Sequence, residues 1–271
     1  MVNDNMIPNH AHERLQAMQG HGGHRRLFTS DLTVNEFLLI KEAGFEPAGL
    51  VVGSSIYHIG FQQANWTKNE EMVVLTQAMY HARELAMERM IEEAHELGAD
   101  GIVGVRLKAT HMSWNTDLAE FVAIGTAVYK SDGQGANWRV QGKPFTSDLS
   151  GQDFWTLLKA GYRPVGMVMG NCVYHIAHQS FGQWFKNIGQ NVEMTNFTQG
   201  LYDARELAME RMQQEAEHVG AQGIVGVNIH EGRYGWSSHV LEFFTIGTGI
   251  VAISDQHQLP APHLVLSLND A

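Results

Sequence analysis

The run Tyr80–Met90, YHARELAMERM, returns at Tyr202–Met212 as YDARELAMERM, and that repetition decides the fold. Outward from it the copying continues. GIVGV at Gly101 returns at Gly223 and IGT at Ile124 returns at Ile246, all at an offset of 122. Upstream, FTSDL at Phe28 returns at Phe145, and AGFEPAGLVVG at Ala43 returns as AGYRPVGMVMG at Ala160, at an offset of 117. The difference falls between these blocks, where WTKN at Trp66 matches WFKN at Trp184 and the second copy adds residues around Ile188 to Asn191. A repeat on this scale is a tandem duplication, and it outranks local propensity in fixing the architecture.

The repeat divides the chain into a head at 1–27, copy one at 28–130, a linker at 131–144, copy two at 145–253 and a tail at 254–271. The linker is polar and rich in glycine, which predicts a flexible connector. The tail places Pro260 and Pro262 before an apolar HLVLSL, a candidate edge strand. The head, with several histidines, is expected to be mobile or a short helix.

Within copy one, Thr33 followed by Glu36 is a capping-box pattern and Gly44 a stop, so VNEFLLIKEA is predicted as a short helix; Ser150, Asp153 and Gly161 repeat it. GLVVGSSIYHIG then reads as a strand whose glycines let another backbone approach. In the long helix Leu75, Met79, Ala82, Ala86, Met90, Ala94 and Leu97 form one apolar stripe ended by Gly98. Much of that stripe is alanine, so the helix is expected to lie close against its partner. Glu84, Glu88, Arg89, Glu92 and Glu93 are read as its solvated face. GIVGVRLKA and EFVAIGTAVY follow as strands, the second with Phe121, Ala123, Gly125 and Ala127 on one side. Each copy is therefore expected to be an α+β unit of order β-α-β-β, an antiparallel sheet on one long helix, with apolar surface left for a neighbour.

Composition narrows the function. The chain has 271 residues, 44% of them hydrophobic and 17% charged, with a net charge of −11. No basic stripe exists to neutralise phosphates, so nucleic acid is not an expected partner. No apolar run is long enough to span a membrane, and the N-terminus has no secretory pattern. One cysteine, Cys172, fits a reducing compartment, and a cytoplasmic location is the expectation. Neither a nucleophile elbow, a P-loop nor a metalloprotease helix occurs, so catalysis is not expected.

The run YxARELAMERMxxEAxxxGAxGIVGV followed by EFxxIGT, after a GxVxG strand, resembles the YbjQ-like family, which carries a heavy-metal-binding label. That resemblance covers most of both copies. It implies a dodecin-like β-α-β-β subunit and a homopentameric ring in a bacterial cytoplasmic protein. The duplication, the capped helix before the first strand and the two end segments depart from the family pattern.

Candidate ligand or interface residues are those kept in both copies: Tyr57 with His58, Tyr174 with His175, the loop tryptophans Trp114 and Trp236, and Glu120 and Glu242 at the start of the last strand. The two glutamates are expected to be solvated or to meet a helix arginine such as Arg83 or Arg205. His58 and His175 are the candidate ligands for a divalent metal ion. Cys172, His175 and His178 also lie close in sequence, but residues three apart on a strand face opposite ways. The expected function is a non-enzymatic oligomeric scaffold or binding protein; a metal-sequestering protein and a binder of a planar small molecule are the alternatives. Since five-membered rings cannot be filled by two-domain chains, self-association is expected as five chains in two stacked rings. The 14 linker residues reach about 48 Å between them.

Overall fold

The computed structural model describes residues 7–58, 68–112, 115–177, 195–233 and 240–258. A helix, α1 (Asn9–Met18), comes first. Copy one then runs α2 (Val34–Glu42), β1 (Phe45–His58), β2 (Glu70–Glu71), α3 (Val73–Glu96), β3 (Gly101–Met112) and β4 (Asn115–Lys130). Copy two runs β5 (Phe145–Thr146), α4 (Gly151–Lys159), β6 (Tyr162–His175), α5 (Thr195–His218), β7 (Gly223–Arg233) and β8 (Val240–Ala252). The β-α-β-β order is thus present twice, each time behind a short helix. Trp114, Trp236, His178 and the HLVLSL segment lie outside the described residues.

The caps form as the residues demand. Thr33 and Glu36 make both bonds of a capping box, and Ser150 accepts from the Asp153 amide. The alanine stripe is buried: Ala82, Ala86 and Ala94, with Ala204 and Ala208, are essentially inaccessible. A Cβ on Gly53 would collide with the Ala86 carbonyl and lie 2.5 Å from the Met90 nitrogen; at Gly170 the same atom would lie 2.7 Å from the Met212 nitrogen. Strand glycines and helix alanines therefore meet where each helix crosses its sheet. Phe121, Ala123 and Ala127 point into the same core, as their alternation predicts.

Two expectations are corrected. Each sheet is not built from one copy alone. The first sheet has the order β1-β4-β3-β5 and the second β2-β6-β8-β7, so each copy lends a short strand to the other's sheet. The β3 and β5 pair is parallel, which makes the first sheet mixed rather than antiparallel. The linker, expected to be free, is anchored: the Asp100 carboxylate accepts from the Lys130 amide and pairs with Arg139 at 3.0 Å, and Trp138 packs edge-on against Phe45.

The core is continuous across the copies. Val51, Leu75, Met79, Ala86 and Phe121 share one cluster with Met167, Met169, Val173, Phe244 and Ile246. Burial of this kind is what the apolar sheet faces of a 100-residue unit require.

Candidate functional site

Among the described residues an extensive polar construction forms the seam between the copies. At its floor, copy two lays the stretch from Phe145 along the open edge of β3. The Phe145 amide donates to the Asp100 carbonyl at 3.1 Å and the Ser147 amide to the Ile102 carbonyl at 2.9 Å. In return the Gly104 and Val105 amides donate to the Leu149 and Ser147 carbonyls at 3.1 and 2.9 Å. These bonds satisfy an edge that would otherwise expose unpaired backbone groups. The Phe145 ring lies against Gly101, where any Cβ would run into it.

At the opposite side of the seam copy one lends β2 to β6. Glu70 pairs with His175 and Glu71 with Tyr174, and the Met72 amide donates to the Val173 carbonyl at 2.8 Å. Thr76, at the start of α3, accepts from the Val173 amide through its hydroxyl and from Asn171 Nδ2 through its carbonyl. Arg211 of α5 pairs with Glu71 at 2.8 Å and donates to the Asn171 carbonyl at 2.7 Å.

Between them sits an ion pair. Arg83 of α3 donates to Glu242 of β8 at 2.6 Å, with both side chains about 95% buried. The guanidinium also stacks over the Phe244 ring, 4.2 Å from its centroid. A buried charge is tolerated only when paired and hydrogen-bonded, and here the pair joins the two copies. The sequence had suggested a helix arginine for Glu242; that the arginine comes from the other copy was not legible.

The other candidates divide by copy. Tyr174 is buried and its hydroxyl donates to Asp203 at 3.4 Å; burial, and then Asp203, push its pKa up. His175 is buried too, with Nδ1 3.2 Å from the Lys68 carbonyl. Their counterparts lie on the outer edge of β1, where His58 is exposed and Tyr57 meets His81 edge-on. Glu120 is half-buried on β4. The tryptophans Trp114 and Trp236 fall outside the described residues.

Among the described residues no three His, Cys, Asp or Glu groups converge on one point. Cys172 is buried beneath α5, and burial, with the nearby Glu71 charge, pushes its thiol up to about 12, which keeps it protonated and a poor ligand. His58 and His175 belong to separate edges of the molecule.

Sequence reasoning missed Glu71, Arg211, Thr76 and Asn171. It also took Glu93 as solvated, whereas Glu93 is buried, accepts the Val52 amide at 2.9 Å and pairs with Arg14 of α1 at 2.6 Å. One signal was available: FTSDL is repeated letter for letter in front of the capped helix, a position where a mere connector would have drifted.

Comparison with known proteins agrees with the duplicated fold. A family model named YbjQ and described as "Putative heavy-metal-binding" matches twice, over residues 48–131 and 160–253. An encapsulin nanocompartment protein of Mycobacterium tuberculosis is 53% identical over 223 residues, covering 82% of this chain and 85% of that protein. A UPF0145 protein of Clostridium perfringens is 40% identical over 92 residues, covering 32% of this chain and 85% of its own length. Another, from Halorubrum lacusprofundi, is 36% identical over 103 residues and 96% of its length. These two relatives correspond to a single copy of the repeat, and the chain described here belongs to the YbjQ-like family as a tandem pair of its domains.

Proposed function

We propose that this chain is a non-enzymatic, self-assembling cytoplasmic scaffold whose copies join head to tail, each new contact repeating the seam already present within the chain. The observation that carries this reading is the mismatch between equivalent edges. Phe145 is 1% exposed and Phe28, its repeat partner, 45%. Gly101 is covered by a phenylalanine ring, while the nearest atom to a Cβ on Gly223 is 3.8 Å away on Ile250. Val105 is buried under the borrowed strand, yet Val227 is 42% exposed. Phe28 of one chain would thus cover Gly223 of the next. Arg205 of that neighbour, now resting on the Tyr202 ring and 3.7 Å from Glu206, would reach Glu120 of the first chain as Arg83 reaches Glu242. Tyr57 and His58 would accept a strand as Tyr174 and His175 do.

A head-to-tail contact of this type closes a ring or propagates a filament. It sets both copies of a chain side by side in one layer, so two stacked rings of five chains give way to a single ring with an even number of domains. Six domains from three chains is the even number next above the five-membered, dodecin-like ring implied by the family. The encapsulin nanocompartment relative supports a structural role, since its name places it with an assembly. The metal and planar-ligand alternatives lose support because Tyr174 and His175 are engaged by β2. Mass photometry of untagged protein tests the reading. Three chains of 30.2 kDa give a particle of about 91 kDa; a monomer at 30.2 kDa would overturn it.

A further inference from the structure

The head helix α1 lies in a groove on copy one that copy two repeats without filling. In copy one, Arg14 spans from the Glu93 carboxylate, at 2.6 Å, to the Leu50 carbonyl, at 3.2 Å. Leu15 beside it is fully buried, and the Met18 side chain occupies the space above Gly49. His12 adds a bond to Glu96 at 2.5 Å.

In copy two the same positions are Gly166, Met167, Met169, Glu215, His218 and Val219. Glu215 accepts the Met169 amide at 2.7 Å, as Glu93 accepts that of Val52. No arginine follows. Among the described residues Glu215 has no cationic partner, because Arg211 is spent on Glu71 and Asn171. The space above Gly166 is open as well, with only Val219 near, at 3.6 Å or more. Beside it lies a groove of about 740 Å3, in which Glu215 and His218 of α5 and the following Val219 face Gln77, Tyr80 and Glu84 of α3.

We propose that this groove docks a short amphipathic helix from a partner protein, one that brings an arginine to Glu215 and an apolar side chain to the space above Gly166. Three of the chain's own segments do not suit it. The linker before copy two is committed to Asp100 and Phe45, α1 is committed to Glu93, and residues 259–271 contain neither arginine nor lysine. Where copy one offers Glu96 to His12, copy two offers His218, so the partner helix should carry an acidic residue two positions before its arginine. Burial without a cation pushes the Glu215 carboxyl up to about 7, in keeping with a group whose counter-charge arrives from outside.

The probe is a fluorescent peptide of residues 7–20 carrying His12→Glu, titrated into the full chain and read by anisotropy. Saturable binding is expected. It should weaken about tenfold in Glu215→Gln protein, and about as much for a peptide carrying Arg14→Ala in addition, because each removes one charged partner. Gly166→Met, which fills the space while keeping the carboxylate, should weaken it too, and Glu93→Gln should leave it unchanged. No saturable binding, or binding indifferent to both Glu215→Gln and Gly166→Met, would overturn the proposal. So would a loss caused by Glu93→Gln alone, which would mean that the peptide displaces α1.

Discussion

The edge of β3 and the edge of β7 both open with GIVGV and have opposite surroundings. The first is covered by a strand of the following copy, with a phenylalanine ring over Gly101; the second has no strand over it among the described residues, with Val227 and Ile229 exposed. The difference teaches that the domain is built to be continued on one side. Covalent linkage supplies the continuation once within the chain, and in the proposed assembly a second chain supplies it again. A comparable contrast separates Glu93, which holds Arg14, from Glu215, which among the described residues holds a backbone amide and no cation.

The largest effect is expected at the ion pair inside the seam. Arg83→Ala deprives buried Glu242 of its arginine and should cost about 3 to 5 kcal/mol in urea unfolding. Arg205→Ala, its repeat partner, is 38% exposed and should leave the stability of the dilute single chain nearly unchanged. Equal losses at both positions would erase the distinction between inner and outer edges.

Next comes the glutamate pair. The Glu215 pKa is raised from 4.5 to about 7, so its protonated form stabilises the fold fully below pH 4.5, and that contribution is lost as pH rises through 7. Glu215→Gln stays neutral throughout. It should therefore exceed the wild type at pH 8 by up to about 3 kcal/mol, with the gap closing towards pH 4.5. Glu93→Gln should do the reverse at pH 8, because it strips Arg14 of its partner. Thermal melts at the two pH values decide it.

The smallest difference between copies is expected where they are most alike. Ala86→Leu and Ala208→Leu each force a side chain into the helix–sheet crossing at Gly53 or Gly170 and should cost about 1 to 3 kcal/mol. A melting temperature unchanged in either variant would mean that the helix does not seat on its strand there.

Much of this was legible in the residues. Periodicity located the long helices, Thr33 and Ser150 announced the caps, and the pairing of strand glycines with helix alanines foretold the close crossing. The exchange between copies was not legible. Two-residue strands such as Glu70–Glu71 carry no alternation, and their partners are chosen by a surface that exists only once both copies have folded. Glu93 was concealed for a related reason: among Glu88, Glu92 and Glu96 nothing local marks it as the carboxylate turned inward to an amide. The short head helix offers one fully buried side chain, Leu15, too little to generate a stripe.

The head-to-tail seam stands or falls on a charge reversal across the proposed contact. Sedimentation velocity would compare Glu120→Arg, Arg205→Glu and the double variant. Each single change places like charges opposite one another and should reduce the particle to single chains of 30.2 kDa, while the double change restores opposite charges and should restore assembly. Single variants that remain assembled, or a double variant that stays dissociated while folded, would contradict the seam.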